Sequence, residues 1–171
     1  MNKKITAREV IDILGLKPHP EEGGYYAETH RSQEVHAVHA LPGRYAGERC
    51  HSTAIYYLLT PQTYSHMHRL VTDEVFHFYM GDPCEMLLLH PDGCGEAVVL
   101  GHDLLAGHRP QVVVPAGSWQ GMRLVPGGGF GLMGCTVAPG FEFADYDHAV
   151  RAELLNAYPG FADRIVPLTA G

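Results

Sequence analysis

Between Tyr25 and Val137 the chain is a succession of short segments rich in Tyr, Val, Ile, Thr and Phe, broken about every ten residues by Gly, Pro and Asp. The spacing predicts strands at 25–31, 53–59, 64–68, 74–80, 85–90, 97–100, 111–114, 121–125 and 130–137. Gly81-Asp82-Pro83, Pro91-Asp92-Gly93, Pro115-Ala116-Gly117 and Gly127-Gly128-Gly129 supply the fixed or positive φ that tight turns require. No helical period intervenes, so the segments are expected to pair antiparallel in a closed or sandwiched all-β structure.

Helical spacing is confined to the ends. Thr6-Ala7-Arg8-Glu9 has the form of a capping box, Val10, Ile11 and Leu14 form one apolar face, and Gly15 suits a left-handed stop. A second helix is expected at 147–158, with Val150, Leu154 and Leu155 on one side and Pro159-Gly160 after it. The stretch 32–48, with its Gly, Pro and Arg, reads as a long surface loop. A chain of 171 residues without repeat or linker is expected to form one domain, 1–171, with the barrel at about 19–143.

The balance of 12 Lys+Arg against 19 Asp+Glu leaves a formal charge of −7, which repels phosphate backbones and anionic lipid. The longest basic run is Lys3-Lys4, no apolar segment follows it, and nothing approaches the ~20 apolar residues of a membrane span. The expectation is a cytoplasmic protein with no nucleic-acid or membrane partner. Cys50, Cys84, Cys94 and Cys135 form no CxxC pair and are expected as reduced thiols.

Twelve histidines raise the question of convergence on one site. His66 and His68 are two apart in an expected strand, and a period of two puts both imidazoles on one face. Glu74 follows after a possible turn and could return its carboxylate beside them. Two His and a carboxylate form a ligand set for a divalent transition metal, Fe, Mn, Ni or Zn, with coordination positions left open. His77 falls on the face opposite Glu74 under strict alternation, and a bulge would be needed to bring it to the pocket. Tyr25, Tyr26, Phe76, Phe78 and Trp119 could wall a planar or sugar ring, and Arg31 and Arg69 could clamp a carboxylate or phosphate.

Ser65-His66-Met67-His68 with Glu74 and Gly81 resembles the first cupin motif, HxH then Glu then Gly. Pro115-Ala116-Gly117-Ser118-Trp119-Gln120 resembles the second, PxGxxH, with Gln120 where a metal-binding His would stand. The blocks from His19 to Tyr26, Ser52 to Leu59, Asp73 to Phe78 and Val137 to Phe143 are similar to the cupin_5 family, formerly DUF985. The resemblance covers about 19–159 and implies a cupin-type double-stranded β-helix, a jelly-roll barrel with short N- and C-terminal helices. It also implies a homodimer, related in shape to the sugar-nucleotide epimerases of the rhamnose pathway. Within that family the His at position 68 is regular and the His at position 66 is a departure.

Three functions stay open at this point. In the first, an isomerase or epimerase of a small carbohydrate-like or nucleotide-sugar-like ligand, His68 acts as base, Glu74 orients it, and a tyrosine of the first strand returns the proton. The second is a metal-dependent oxygenase or isomerase using His66, His68 and Glu74, with Gln120 as a fourth ligand. A small-ligand-binding module without turnover is the third.

Overall fold

The computed structural model describes residues 4–170, so Lys3 and the two chain ends lie outside the described residues. Helix α1 (Ala7–Leu14) starts at the expected capping box: Thr6 accepts from the Glu9 amide, and Glu9 accepts from that of Thr6. Gly15, at φ 64°, closes it.

The strands follow in order: β1 (Lys17–Pro18), β2 (Tyr25–Arg31), β3 (Val35–His36), β4 (Arg49–Cys50), β5 (Thr53–Leu59), β6 (Tyr64–Leu70), β7 (Glu74–Gly81), β8 (Cys84–Leu89), β9 (Gly95–Leu100), β10 (Gln111–Val114), β11 (Trp119–Leu124), β12 (Gly131–Val137) and β13 (Tyr146–His148). They form a six-stranded sheet, β1-β2-β5-β12-β7-β10, facing a five-stranded sheet, β13-β6-β11-β8-β9, with antiparallel pairing throughout both. The pair β3-β4 lies in the stretch expected as loop.

Each of the expected strands is present, with ends shifted by a few residues, because alternation and turn chemistry are local signals. The C-terminal element differs. Helix α2 spans Arg151–Ala157, and residues 146–148, which were expected to be at or beside the helix start, form β13 and pair with β6. The unsatisfied edge of β6 offers ladder hydrogen bonds that a frayed first helical turn could not match. Helix α3 (Ala162–Ile165) follows.

Three apolar clusters fix this arrangement. Tyr57, Phe76, Phe78, Met86, Leu88 and Met133 fill the space between the sheets. Met67, Leu87 and Leu89, on the outer face of the five-stranded sheet, pack under Leu154, Ile165 and Leu168 of the C-terminal segment. Val10 and Leu16 cover Leu58 and Leu132 on the outside of the other sheet. Gly81, at φ 98°, lets β7 turn against the Phe130 carbonyl, where a Cβ would collide. The four cysteines are free thiols, three of them buried. Among the described residues no helix is long and apolar enough to cross a membrane.

Candidate functional site

One cavity of about 270 Å³ opens between the two sheets. Its inner wall carries His68, Glu74, Glu22 and Cys135; Tyr26, Phe143 and Tyr146 stand at its sides, and Arg31 borders it. The strand β6 brings His68 in through a register shift. Gln120 pairs with His68, yet Met122 pairs with Ser65, so His66 and Met67 together oppose Gly121. The extra residue turns Met67 outward beneath the C-terminal helices while His68 and Ser65 both reach the interior.

This bulge separates the two histidines of the HxH motif. His66 packs its ring against Tyr64 (4.4 Å) and His148 (5.5 Å) and does not line the cavity. Burial, then His148, pushes its pKa down. The amide of Gln120 donates to Glu74, which leaves Gln120 a support for that carboxylate and not a ligand facing the cavity. The set His66, His68, Glu74 and Gln120 is therefore not brought together, and among the described residues no group of three or more His, Cys, Asp or Glu is arranged to hold a metal ion. The residues present do not fit the metal that the HxH resemblance implies.

Other expected residues are also redistributed. His77 faces away from the cavity, near Gln111 and Thr136 at 3.3 and 3.4 Å, as alternation along β7 dictates. The rings of Phe76 and Phe78 belong to the barrel core. Tyr25 packs toward α1, on the outer face of its sheet, whereas Tyr26, its neighbour, enters the cavity. Trp119 packs outside under the C-terminal segment, with Arg69 above its ring at 4.4 Å. Arg69 also pairs with Asp147 at 2.6 Å. Arg31 does border the cavity, but Glu28 (3.0 Å) and Glu142 (2.7 Å) already occupy its guanidinium, so it is not a free clamp for an anion.

The structure supplies groups that sequence reasoning left out. Glu22 is buried and its Oε1 accepts from Ser65 Oγ at 2.6 Å. It is followed by Gly23, φ 90°, whose missing side chain permits contact with the Tyr64 carbonyl. His19 accepts at Nδ1 from the amides of Glu22 (2.8 Å) and Glu21 (3.3 Å). A ring that accepts at Nδ1 carries its proton on Nε2, so His19 is a neutral donor there. Burial holds its pKa down, consistent with that state. Both residues sit in the His19 to Tyr26 block that carried part of the resemblance; neither has a periodic signal.

His68 has the opposite polarity. Its Nδ1 lies 2.7 Å from the His66 carbonyl, which can only accept, so Nδ1 bears a proton and, in the neutral ring, Nε2 carries the lone pair. Nε2 stands 4.0 Å from Glu22 Oε2. The ring stacks on Tyr146 at 5.0 Å and 18°, and β13 carries that tyrosine into place. Glu74, expected to orient His68, instead accepts from Gln120 and from the Cys135 thiol. Burial, reinforced by Glu22, raises the Glu74 pKa, and burial, reinforced by Glu74, pushes that of Cys135 well up.

A raised carboxyl pKa favours the protonated group in the folded state. Its stabilising contribution is complete below the unfolded value of ~4.3 and is lost as pH rises through the folded value. The variant Glu74→Gln has no such titration. Its stability relative to wild type is expected to grow as pH rises above about 4 in urea unfolding, since only the wild type loses this contribution. A difference that stays constant with pH would mean that Glu74 ionises without penalty.

Comparison with known proteins places this geometry in a family. The family model Cupin_5, described as Cupin superfamily (DUF985), matches residues 8–149. The chain is 32% identical to the uncharacterized protein YML079W of Saccharomyces cerevisiae over 149 residues, 82% of this chain and 74% of that protein. It is 34% identical to the crystal structure of protein SO0799 from Shewanella oneidensis, with a TM-score of 0.85 over 98% of this chain and 99% of that one. A cupin 2 domain-containing protein from Halorhodospira halophila, 16% identical, shares the fold with a TM-score of 0.55 over 87% of this chain and 86% of the other. Two facing antiparallel sheets around an inner cavity make the fold a cupin jelly roll, and the chain belongs to the Cupin_5 (DUF985) family of the cupin superfamily.

Proposed function

We propose that this cupin is an isomerase or epimerase of a small, polar, carbohydrate-sized ligand, with proton transfer carried out by its own side chains. The observation that carries the reading is the His68 tautomer: Nδ1–H is tied to the His66 carbonyl at 2.7 Å, which leaves Nε2 as a base on the cavity wall. A cavity of about 270 Å³ lies just below the ~300–1,000 Å³ range of ligand pockets, which favours a single ring or short polyol.

In this reaction Nε2 of His68 takes the proton from a carbon beside a carbonyl, and the C–H electron pair moves onto the carbonyl oxygen. His19, with its proton on Nε2, is the donor available to that oxygen. The flat face of Tyr146 against His68 stabilises the imidazolium that forms. Return of the proton to the neighbouring carbon gives isomerisation, and return to the other face gives epimerisation. Tyr26 enters from the six-stranded sheet, across the barrel from His68, where a proton returned to the second face would originate.

The test is solvent exchange. A panel of aldoses, ketoses and their nucleotide conjugates is incubated with the protein in D₂O, and the proton beside each carbonyl is followed by NMR. Enzyme-dependent loss of that signal in at least one compound is expected. A compound that binds the cavity without exchange, with no other compound exchanging, would make the protein a binding module.

A further inference from the structure

We infer that the ligand of this cavity carries an ammonium group, seated on Glu22 beside the base. The inference rests on reading the cavity as the ligand site and is independent of whether a proton is transferred there.

The polar groups at the inner end are mostly acceptors. Glu22 turns Oε2 toward His68 Nε2, and both are lone-pair carriers separated by 4.0 Å, too far to satisfy each other. Glu74 stands behind it with both oxygens already accepting, from the Gln120 amide and the Cys135 thiol, so Glu22 is the carboxylate that meets the ligand. A hydroxyl brings one donor to such a wall, whereas an ammonium brings three donors and no acceptor.

Charge points the same way. The cavity is lined by Glu22, Glu28, Glu74 and Glu142 against Lys17 and Arg31. Arg31 is spent on Glu28 and Glu142, and Lys17 is exposed at the rim with its Nζ 5.4 Å above the Tyr26 ring. Neither cation neutralises Glu22, whose buried position strengthens its field. An anionic ligand group would meet uncompensated negative charge there. Tyr26 and Tyr146 present aromatic surface to the same space, which also suits a cation.

The 4.0 Å between Glu22 Oε2 and His68 Nε2 further restricts the ligand. An ammonium at about 2.8 Å from the carboxylate leaves the carbon that bears it, or the next one, within about 3–3.5 Å of the imidazole. The ligand class is thus an amine with its nitrogen on or next to the carbon that faces His68, as in a 2-amino sugar.

Calorimetric titration with D-glucosamine, D-glucose and D-glucuronate separates the charge term from the shared ring. Wild type is expected to bind the amine at least about tenfold more tightly than glucose, and glucuronate more weakly than either. Glu22→Gln, checked for folding by its melting curve, is expected to lose that preference. Equal affinity for amine and neutral sugar in wild type, tighter binding of glucuronate, or failure of wild type to bind the amine overturns the inference, and none of these depends on the variant. An amine preference without solvent exchange leaves it standing and removes the proton-transfer reading; exchange of neutral sugars without amine preference does the reverse.

Discussion

Replacing His68 with Gln or Ala should lower solvent-exchange activity by about 10²–10⁴-fold, the usual contribution of a positioned general base. The side chain is 2% exposed, is held through Nδ1 by the His66 carbonyl, and is backed by Tyr146. Among the described residues, no other imidazole that lines the cavity has that arrangement. His19 has its acceptor nitrogen occupied by two backbone amides, His66 is turned out by the bulge, and His77 lies on the far face of β7. His66→Ala and His77→Ala should therefore remain active, since the contact that orients His68 comes from the backbone of residue 66. A His68 variant that folds and exchanges at the wild-type rate would sink the base assignment. Loss of activity in His66→Ala with His68 still folded in place would instead show that the HxH pair acts together.

Breaking the ion pair of Arg49 and Asp145 should cost stability on the order of 3–5 kcal/mol, because either partner left alone is a buried charge. Both side chains are nearly inaccessible, at 4% and 3%, and the contact is two-pronged, Nε to Oδ2 at 2.7 Å and Nη2 to Oδ1 at 2.5 Å. Arg49→Met and Asp145→Leu singly should lower the urea midpoint strongly, and the double variant should recover much of the loss. If the singles and the double were equally destabilised, packing and not charge would account for the effect. Asp145 immediately precedes β13, so the pair also anchors the strand that sets Tyr146 against His68. Activity in the double variant should fall more than its stability does, as the wall beside the base loosens.

How much of this was legible beforehand differs by element. The alternation along β5, β7 and β12 and the Gly-Pro-Asp turns located the strands, and the capping box located α1 to the residue. The motif resemblance pointed to His68 and Glu74, and both line the cavity. It also grouped His66 and Gln120 with them, which the tertiary structure does not. A strict period of two puts His66 and His68 on one face, and the bulge that parts them depends on the partner strand, where Gly121 has no side chain to oppose Met67. Aromatic type alone could not sort Tyr25, Phe76, Phe78 and Trp119 from Tyr26, since the same ring serves in a core, under a helix or in a pocket wall.

The remaining groups come from segments without periodicity. His19 and Glu22 lie in the turn before β2, and Tyr146 lies in a strand that exists only because β6 offers an unpaired edge. Local propensity, alternation and turn chemistry are written residue by residue, so the sequence alone determined that this chain forms an antiparallel barrel with helices at its ends. Which tautomer His68 holds, which carboxylate faces it and which histidines are excluded follow from register and from contacts between residues far apart in the chain. Only the tertiary structure decided those, because hydrogen-bond geometry and desolvation are properties of neighbours in space.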